Sequence, residues 1–421
     1  MKIFASTLLL LVALPGAPAF AQSACQPGTY AAPDGDFVVL AKSPAVAAPA
    51  LRYQFRDGRR GATSEASAPL VCTAAEVTVK GAAWKPIAFR ETPASFDSVG
   101  TKMTGMLIEP PGNDAKRPLV VMVHGSERSS PIGGIYGYAM AAQGISVFVY
   151  DKRGTGESEG EYTQNFELLA ADAAKALDTA RGMAAGRHGR AGFFGGSQGG
   201  WVAPLAATQT KADFVAVGFG LVASPIEEDR EQMVSEVRAA GLGKDAEALV
   251  DRLSAATSKL VLSNFTQGYD ALDAVRREMA GQSWAAAIKG EYSGAIARMT
   301  NDELRRLGRA RFDNVELIWD YDAVAALRQL DTPLLWVLAG EDREAPIETT
   351  RGALLGLAKE GKPFDVYLFP DTDHGMFEFT TAADGSRTIT RITDGYLKLL
   401  GDWIKGDARG AYGRAERLTP R

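Results

Sequence analysis

From about residue 76 onward, short runs of consecutive apolar residues alternate with stretches whose apolar positions recur at helical spacing. The runs Met103–Ile108, Leu119–Val123, Ser146–Tyr150, Ala191–Phe194, Phe214–Gly218, Leu334–Leu338 and Asp365–Phe369 read as strands. Several are apolar throughout, as strands covered on both faces must be. Between them Phe166, Leu169, Ala173 and Leu177 mark one face of a helix, and Pro346 stands where a first helical turn tolerates it. Strands alternating with helices predict an α/β fold, a mostly parallel sheet with helices on both faces.

The alternation lapses between Ala223 and Ala325, where Leu249, Leu253 and Leu260 line one face of a charged helix. Roughly one hundred residues without strand runs predict a helical cap insertion rather than a loop. Its aromatic residues Phe265, Tyr269, Trp284, Tyr292 and Trp319 are candidates for cap core or pocket wall. Upstream, Phe37–Ala41 and Leu51–Phe55 read as short strands and Asp57-Gly58 as a turn, which predicts a small β-rich N-terminal domain. The expected organisation is a signal peptide over 1–21, the β-rich domain over 22–75, an α/β core over 76–222 and 326–405, the cap over 223–325 and a polar tail over 406–421.

The leader rests on Lys2, the apolar run Ile3–Leu14 and the small-residue pattern Ala19-Phe20-Ala21. The run is too short to span a bilayer and is broken by Pro15, Gly16 and Pro18, so cleavage and export to the periplasm or exterior are expected, with no stable membrane insertion afterwards. The chain has two cysteines, Cys25 and Cys72; in an oxidising compartment they are expected to form a structural disulfide. With 46 Lys+Arg against 51 Asp+Glu there is no broad basic surface, which argues against a nucleic-acid partner. No cluster of His, Cys and acidic residues has metal-site spacing, and neither a metal nor an organic cofactor is expected.

Two stretches match Gly-x-Ser-x-Gly, around Ser158 and around Ser197. Context separates them. Ser197 follows a buried strand run and precedes a helical stretch containing Trp201, Val202 and Leu205, with small residues at Gly195, Gly196, Gly199 and Gly200. Ser158 lies in a polar stretch between Glu157 and Glu159, whose charges would oppose an oxyanion.

A serine hydroxyl needs a base within hydrogen-bond reach, most often histidine. Of the three histidines, His188 precedes the strand that ends at Ser197, which places it on the order of 20 to 30 Å away, at the surface. His124 follows Leu119–Val123 and reads as loop support. That leaves His374, in the loop after the last core strand, as the candidate base. The acid belongs at a strand end between nucleophile and base; Asp342 fits, with Glu341, Asp371 and Asp373 as alternatives. The oxyanion hole is expected to use the backbone N–H of Gln198 and that of Ser126, with Gly125 or Glu127 as alternatives to Ser126.

Taken with its order and spacing, the set His124-Gly125-Ser126, Asp151 to Ser158, Gly195 to Gly200, Ala339 to Asp342 and Asp373-His374-Gly375 resembles the α/β-hydrolase superfamily over residues 76 to 405, especially bacterial serine esterases with a His-Gly-Ser loop. The resemblance implies that Ser158 belongs to a scaffolding turn. Where relatives often carry Gly-Pro after His-Gly-Ser, this chain has Glu127-Arg128-Ser129-Ser130. The expected function is hydrolysis of a small-molecule acyl ester through an acyl-enzyme on Ser197. A peptidase or amidase acting on short peptides, a thioesterase or an acyltransferase could use the same triad, and an inactive exported binding protein is the reading from another class.

Overall fold

The computed structural model describes residues 25–73, 76–312 and 315–420; the expected signal peptide lies outside them. Among the described residues the largest sheet has nine strands. Their spatial order is Glu416–Arg417, Phe364–Phe369, Leu334–Ala339, Val215–Gly218, Ala191–Gly196, Leu119–Val123, Ser146–Tyr150, Thr101–Glu109 and Arg90–Ser98. From Phe364–Phe369 to Ser146–Tyr150 every pairing is parallel, and the flanking strands pair antiparallel. This is the α/β-hydrolase architecture.

Both faces of the sheet are covered, which explains the unbroken apolar runs. Helices Phe166–Met183, Gly199–Gln209 and Glu348–Lys359 pack on one face with Phe193, Trp336 and Val217 beneath them. On the other face helices Ile135–Ala141 and Tyr396–Lys405 cover Phe194, Phe214 and Phe369. Each such buried side chain contributes about 1.5–3 kcal/mol. Arg90–Ser98 escapes the sequence pattern because it is an edge strand with mostly exposed side chains. The expected polar tail also differs: Glu416–Arg417 pairs with Phe364–Phe369, Leu418 N donates to Val366 O at 2.8 Å, and Arg417 is ion-paired with Asp365.

The N-terminal residues form a seven-stranded antiparallel sheet. It continues past residue 75, where its end was expected, because Val77–Val79 and Ala82–Pro86 complete its core: Val77 and Val79 are buried, and Trp84 stands edge-on to Phe55 at 5.7 Å. Cys25 and Cys72 are disulfide-bonded across this domain. Phe37 and Val39 pack on Ala139 of helix Ile135–Ala141, and Ile392 N donates to Gly58 O at 3.1 Å. The domain therefore rests on the helix and the hairpin (Phe377–Thr381 with Arg387–Ile392) that flank the site described below.

Helices Pro225–Ala239, Lys244–Leu262, Tyr269–Met279, Ser293–Arg298 and Asn301–Phe312 form the insertion, around a core that includes Met233, Leu253, Leu260, Leu272 and Ile296. Ser224 and Glu227 close its first turn as a reciprocal capping box. Helix Ala323–Gln329, at the end of the expected cap range, instead buries Ala323 and Leu327 in the core beneath the sheet's first face. Among the described residues no helix is long and apolar enough to cross a membrane.

Candidate active site

Strand Ala191–Gly196 ends in a sharp turn at Ser197, whose φ is +52°, and helix Gly199–Gln209 begins two residues later. A non-glycine residue in this left-handed region costs about 1–3 kcal/mol and persists only where its surroundings enforce it. The enforcement comes from close backbone approach. A Cβ on Gly195 would lie 2.5 Å from Gly199 O, and one on Gly200 would lie 2.8 Å from the Cα of Gly220. Ser197 is thus held up at the carboxyl end of the sheet, half-buried.

His374 approaches from the loop after Phe364–Phe369, with Nε2 3.1 Å from Ser197 Oγ. Its Nδ1 lies 2.9 Å from Oδ2 of Asp342, which stands just past the end of Leu334–Ala339. The other Asp342 oxygen accepts the backbone N–H groups of Glu344 at 3.1 Å and Ala345 at 2.7 Å, and the side chain is 1% exposed. Burial pulls the His374 pKa down, but the hydrogen bond and charge of Asp342, joined by Glu344 and Asp373, outweigh it and hold the imidazole above 6.5. The Phe219 ring stands edge-on to it at 5.1 Å.

The alternative acids are otherwise engaged. Asp371 pairs with Arg414. Glu341 and Asp373 both bind Arg387, at 2.6 and 2.7 Å. Asp373 also accepts the backbone N–H groups of His374 and Arg343, at 2.9 and 3.0 Å. Arg387 therefore ties the loop carrying Asp342 to the loop carrying His374. Sequence reading passed it over, since it lies in a polar hairpin that has no chemical motif of its own.

His124 is buried with its ring 5.0 Å from that of Tyr150; burial, then the nearby Lys152 charge, pull its pKa to about 3, so it stays neutral. His188 sits at the far end of the strand that leads to Ser197, partly exposed, with Nδ1 2.8 Å from Gly189 O. Ser158 is buried: its hydroxyl donates to Asp151 O at 2.7 Å and accepts from Thr104 N at 2.9 Å. It joins the turn to strand Thr101–Glu109.

Gln198 is buried at the start of the elbow helix, and Ser126 lies in the exposed loop after Leu119–Val123. Among the described residues neither backbone N–H is engaged by another backbone carbonyl. The loop presses on Ser197, since a Cβ on Gly125 would come within 3.3 Å of Ser197 Cβ.

Two cavities meet at Ser197. One, of about 320 Å³, is apolar and lined by Met122, Ile135, Tyr136, Val149, Phe194 and Phe219. The other, of about 290 Å³, lies under the cap between Trp201, Tyr292 and Trp319, and carries Glu228, Glu291 and Glu344. Tyr292 and Trp319 also belong to the cap's own core, as do Phe265 and Tyr269, which line neither cavity.

No curated protein matches the chain. Among solved structures it is similar to an esterase of Pyrococcus furiosus, with 13% identity over 68% of this chain and 84% of that one and a TM-score of 0.42. It is also similar to an acylaminoacyl peptidase of Pyrococcus horikoshii (16% identity, 78% and 45% covered, TM-score 0.43). A third is brefeldin A esterase, described as a bacterial homologue of human hormone sensitive lipase (16% identity, 68% and 70% covered, TM-score 0.43). The family model described as serine aminopeptidase, S33, matches residues 114–377, a span that contains Ser197, Asp342 and His374. The chain belongs to that family of α/β-hydrolases.

Proposed function

We propose that this protein is a serine hydrolase that cleaves carboxylic esters through an acyl-enzyme intermediate, with Ser197 as nucleophile, His374 as general base and acid, and Asp342 as the group that orients the imidazole. The observation that carries the reading is the unbroken chain of contacts from Asp342 Oδ2 to His374 Nδ1 and from His374 Nε2 to Ser197 Oγ. His374 takes the hydroxyl proton as Oγ bonds to the ester carbon, and returns it to the alkoxide as the C–O bond breaks. Water then repeats the sequence on the acyl-enzyme, its proton passing through His374 to Ser197 as the acid leaves. The N–H groups of Gln198 and Ser126 receive the charge that develops on the carbonyl oxygen. The Cys25–Cys72 disulfide supports placing the enzyme in an exported, oxidising compartment.

A fluorophosphonate probe tests the assignment without knowledge of the natural substrate. The expected result is a covalent adduct on the proteolytic peptide that carries Ser197. A folded protein that is never labelled would favour the inactive binding-protein reading.

A specific observation favours a second reading, a peptidase or amidase acting on substrates with a free amino group. Burial, then the charges of Glu291, Glu344, Asp342 and Asp229, hold the Glu228 carboxyl well above the usual range. Burial and the neighbouring acids raise Glu291 as well. Such a crowding of carboxyl groups beside Ser197, where burial and mutual repulsion disfavour their charged forms, is relieved by a bound ammonium group. Wild-type protein is then expected to prefer aminoacyl esters or amides over their N-acetyl analogues, and Glu228→Gln to erase about 10- to 100-fold of that preference, the value of a charged hydrogen bond. Equal rates on both series in the wild type would remove this reading and leave the ester reading in place.

A further inference from the structure

We propose that Lys152 is a positioning residue for the oxyanion hole: its ammonium turns the Gly125–Ser126 peptide so that the Ser126 N–H faces the reacting carbonyl. This rests on the acyl-transfer reading above and assigns to it a residue outside the nucleophile, base and acid.

Lys152 follows strand Ser146–Tyr150 by two residues and is 3% exposed. Its Nζ donates to Gly125 O at 2.7 Å. In a planar trans peptide the carbonyl and the N–H point in opposite directions, so fixing one fixes the other. The N–H opposite Gly125 O is that of Ser126, and Gly125 itself lies against Ser197. Glycine at 125 contributes no side chain to hold the loop, and residues 126–130 are exposed. The orientation of that peptide is therefore set from outside the loop.

The next peptide is held in the same way by a different residue. The Tyr162 hydroxyl donates to Ser126 O at 2.6 Å, which directs the Glu127 N–H, and Gln164 Nε2 donates to that hydroxyl at 3.0 Å. The Tyr162 ring lies 4.9 Å from Lys152 Nζ and 3.8 Å from the Arg128 guanidinium. One donor is thus under the control of Lys152 and its alternative under the control of Tyr162, and single substitutions separate them.

The placement is costly, which a purely structural role would not require. A buried ammonium is normally matched by a carboxylate. The adjacent Arg153 follows that rule, with Asp172 at 2.6 Å. Lys152 instead spends its hydrogen bond on a carbonyl, and burial pulls its pKa to about 8, with Glu127 opposing and Arg128 assisting. The other groups around it are the neutral His124 and the Tyr162 ring.

The test compares Lys152→Met, Lys152→Arg and Tyr162→Phe on an activated ester, with a trifluoromethyl ketone as transition-state analogue. Lys152→Met is expected to lower kcat about 100-fold with little change in KM, as loss of one oxyanion donor does, and to weaken the ketone by a similar factor. Its melting temperature is expected to hold, since methionine fills the same channel without a buried charge. The wild type is expected to lose part of its activity through an alkaline limb near pH 8, as Lys152 gives up its proton and holds Gly125 O only with the weaker donor of a neutral amine, and any activity kept by Lys152→Arg should lack that limb. Tyr162→Phe is expected to cost on the order of 10-fold less than Lys152→Met.

Unchanged kcat in Lys152→Met would overturn the proposal, as would a loss that appears in KM and melting temperature together. A larger loss in Tyr162→Phe than in Lys152→Met would transfer the donor to Glu127. Failure of the acyl-transfer reading looks different: wild-type protein would then neither turn over esters nor take the fluorophosphonate, and both inferences would fall.

Discussion

Replacing Ser197 by alanine is expected to lower kcat on an activated ester by about 10⁵- to 10⁶-fold, with KM little affected. The size of the effect follows from how many functions end on one atom. In the proposed mechanism Oγ forms the new bond and gives up its proton to His374 Nε2, 3.1 Å away. Without it, the polarised imidazole has nothing to activate except water, and only binding and charge stabilisation at the carbonyl oxygen remain. The fold should survive, because alanine has the same φ requirement as serine at this position and leaves the glycine contacts around the elbow intact. Ser158→Ala provides the contrast, since it sits in the same short motif. It should leave turnover in place and cost about 1–3 kcal/mol of stability, because Thr104 N and Asp151 O lose a buried partner. Undiminished ester turnover in Ser197→Ala would sink the nucleophile assignment.

The contrast between these serines shows what the sequence could and could not disclose. A strand covered on both faces has to be apolar along its whole length, so Ala191 to Phe194 was legible, and with it the abrupt change to glycines that a tight elbow requires. The placement of Ser197, Asp342 and His374 was legible for the same reason, since each lies just beyond such a run. Lys152 and Arg387 were not. Their roles are polar contacts with backbone or loop carboxylates, over 27 residues to Gly125 in one case and 46 to Glu341 in the other, and no periodicity records such a contact. The true extent of the N-terminal sheet was hidden because its later strands are only three to five residues long and place few side chains in the core, Val77 and Val79 from one strand and Trp84 alone from the next. Glu416–Arg417 was hidden because two residues carry no alternation at all.

Asp342→Asn is expected to reduce kcat by about 10⁴-fold while preserving the fold, for a reason written in the partners of its two oxygens. Oδ1 accepts backbone N–H groups from Glu344 and Ala345, and an asparagine must keep its carbonyl oxygen there. Its NH₂ group then faces His374 Nδ1, which must become an acceptor. The ring proton moves to Nε2, and the nitrogen that should take the Ser197 proton is already occupied. The pH dependence gives an independent check. Asp342 is the largest of the influences that raise the His374 pKa, and a protonated imidazole cannot act as base, so wild-type kcat/KM should rise with pH through a limb above 6.5. Removing the Asp342 charge disfavours the protonated ring, so the residual activity of the variant should show its acid limb at lower pH than the wild type. Glu344 and Asp373 remain in place and limit the displacement. A loss smaller than about 10-fold, or a limb displaced upward, would mean that Asp342 does not orient the base. Glu341 and Asp373 are poorly placed to substitute, because Arg387 holds both of them. Glu344, with Oε1 3.6 Å from His374 Nε2, meets the wrong side of the ring to fix the tautomer.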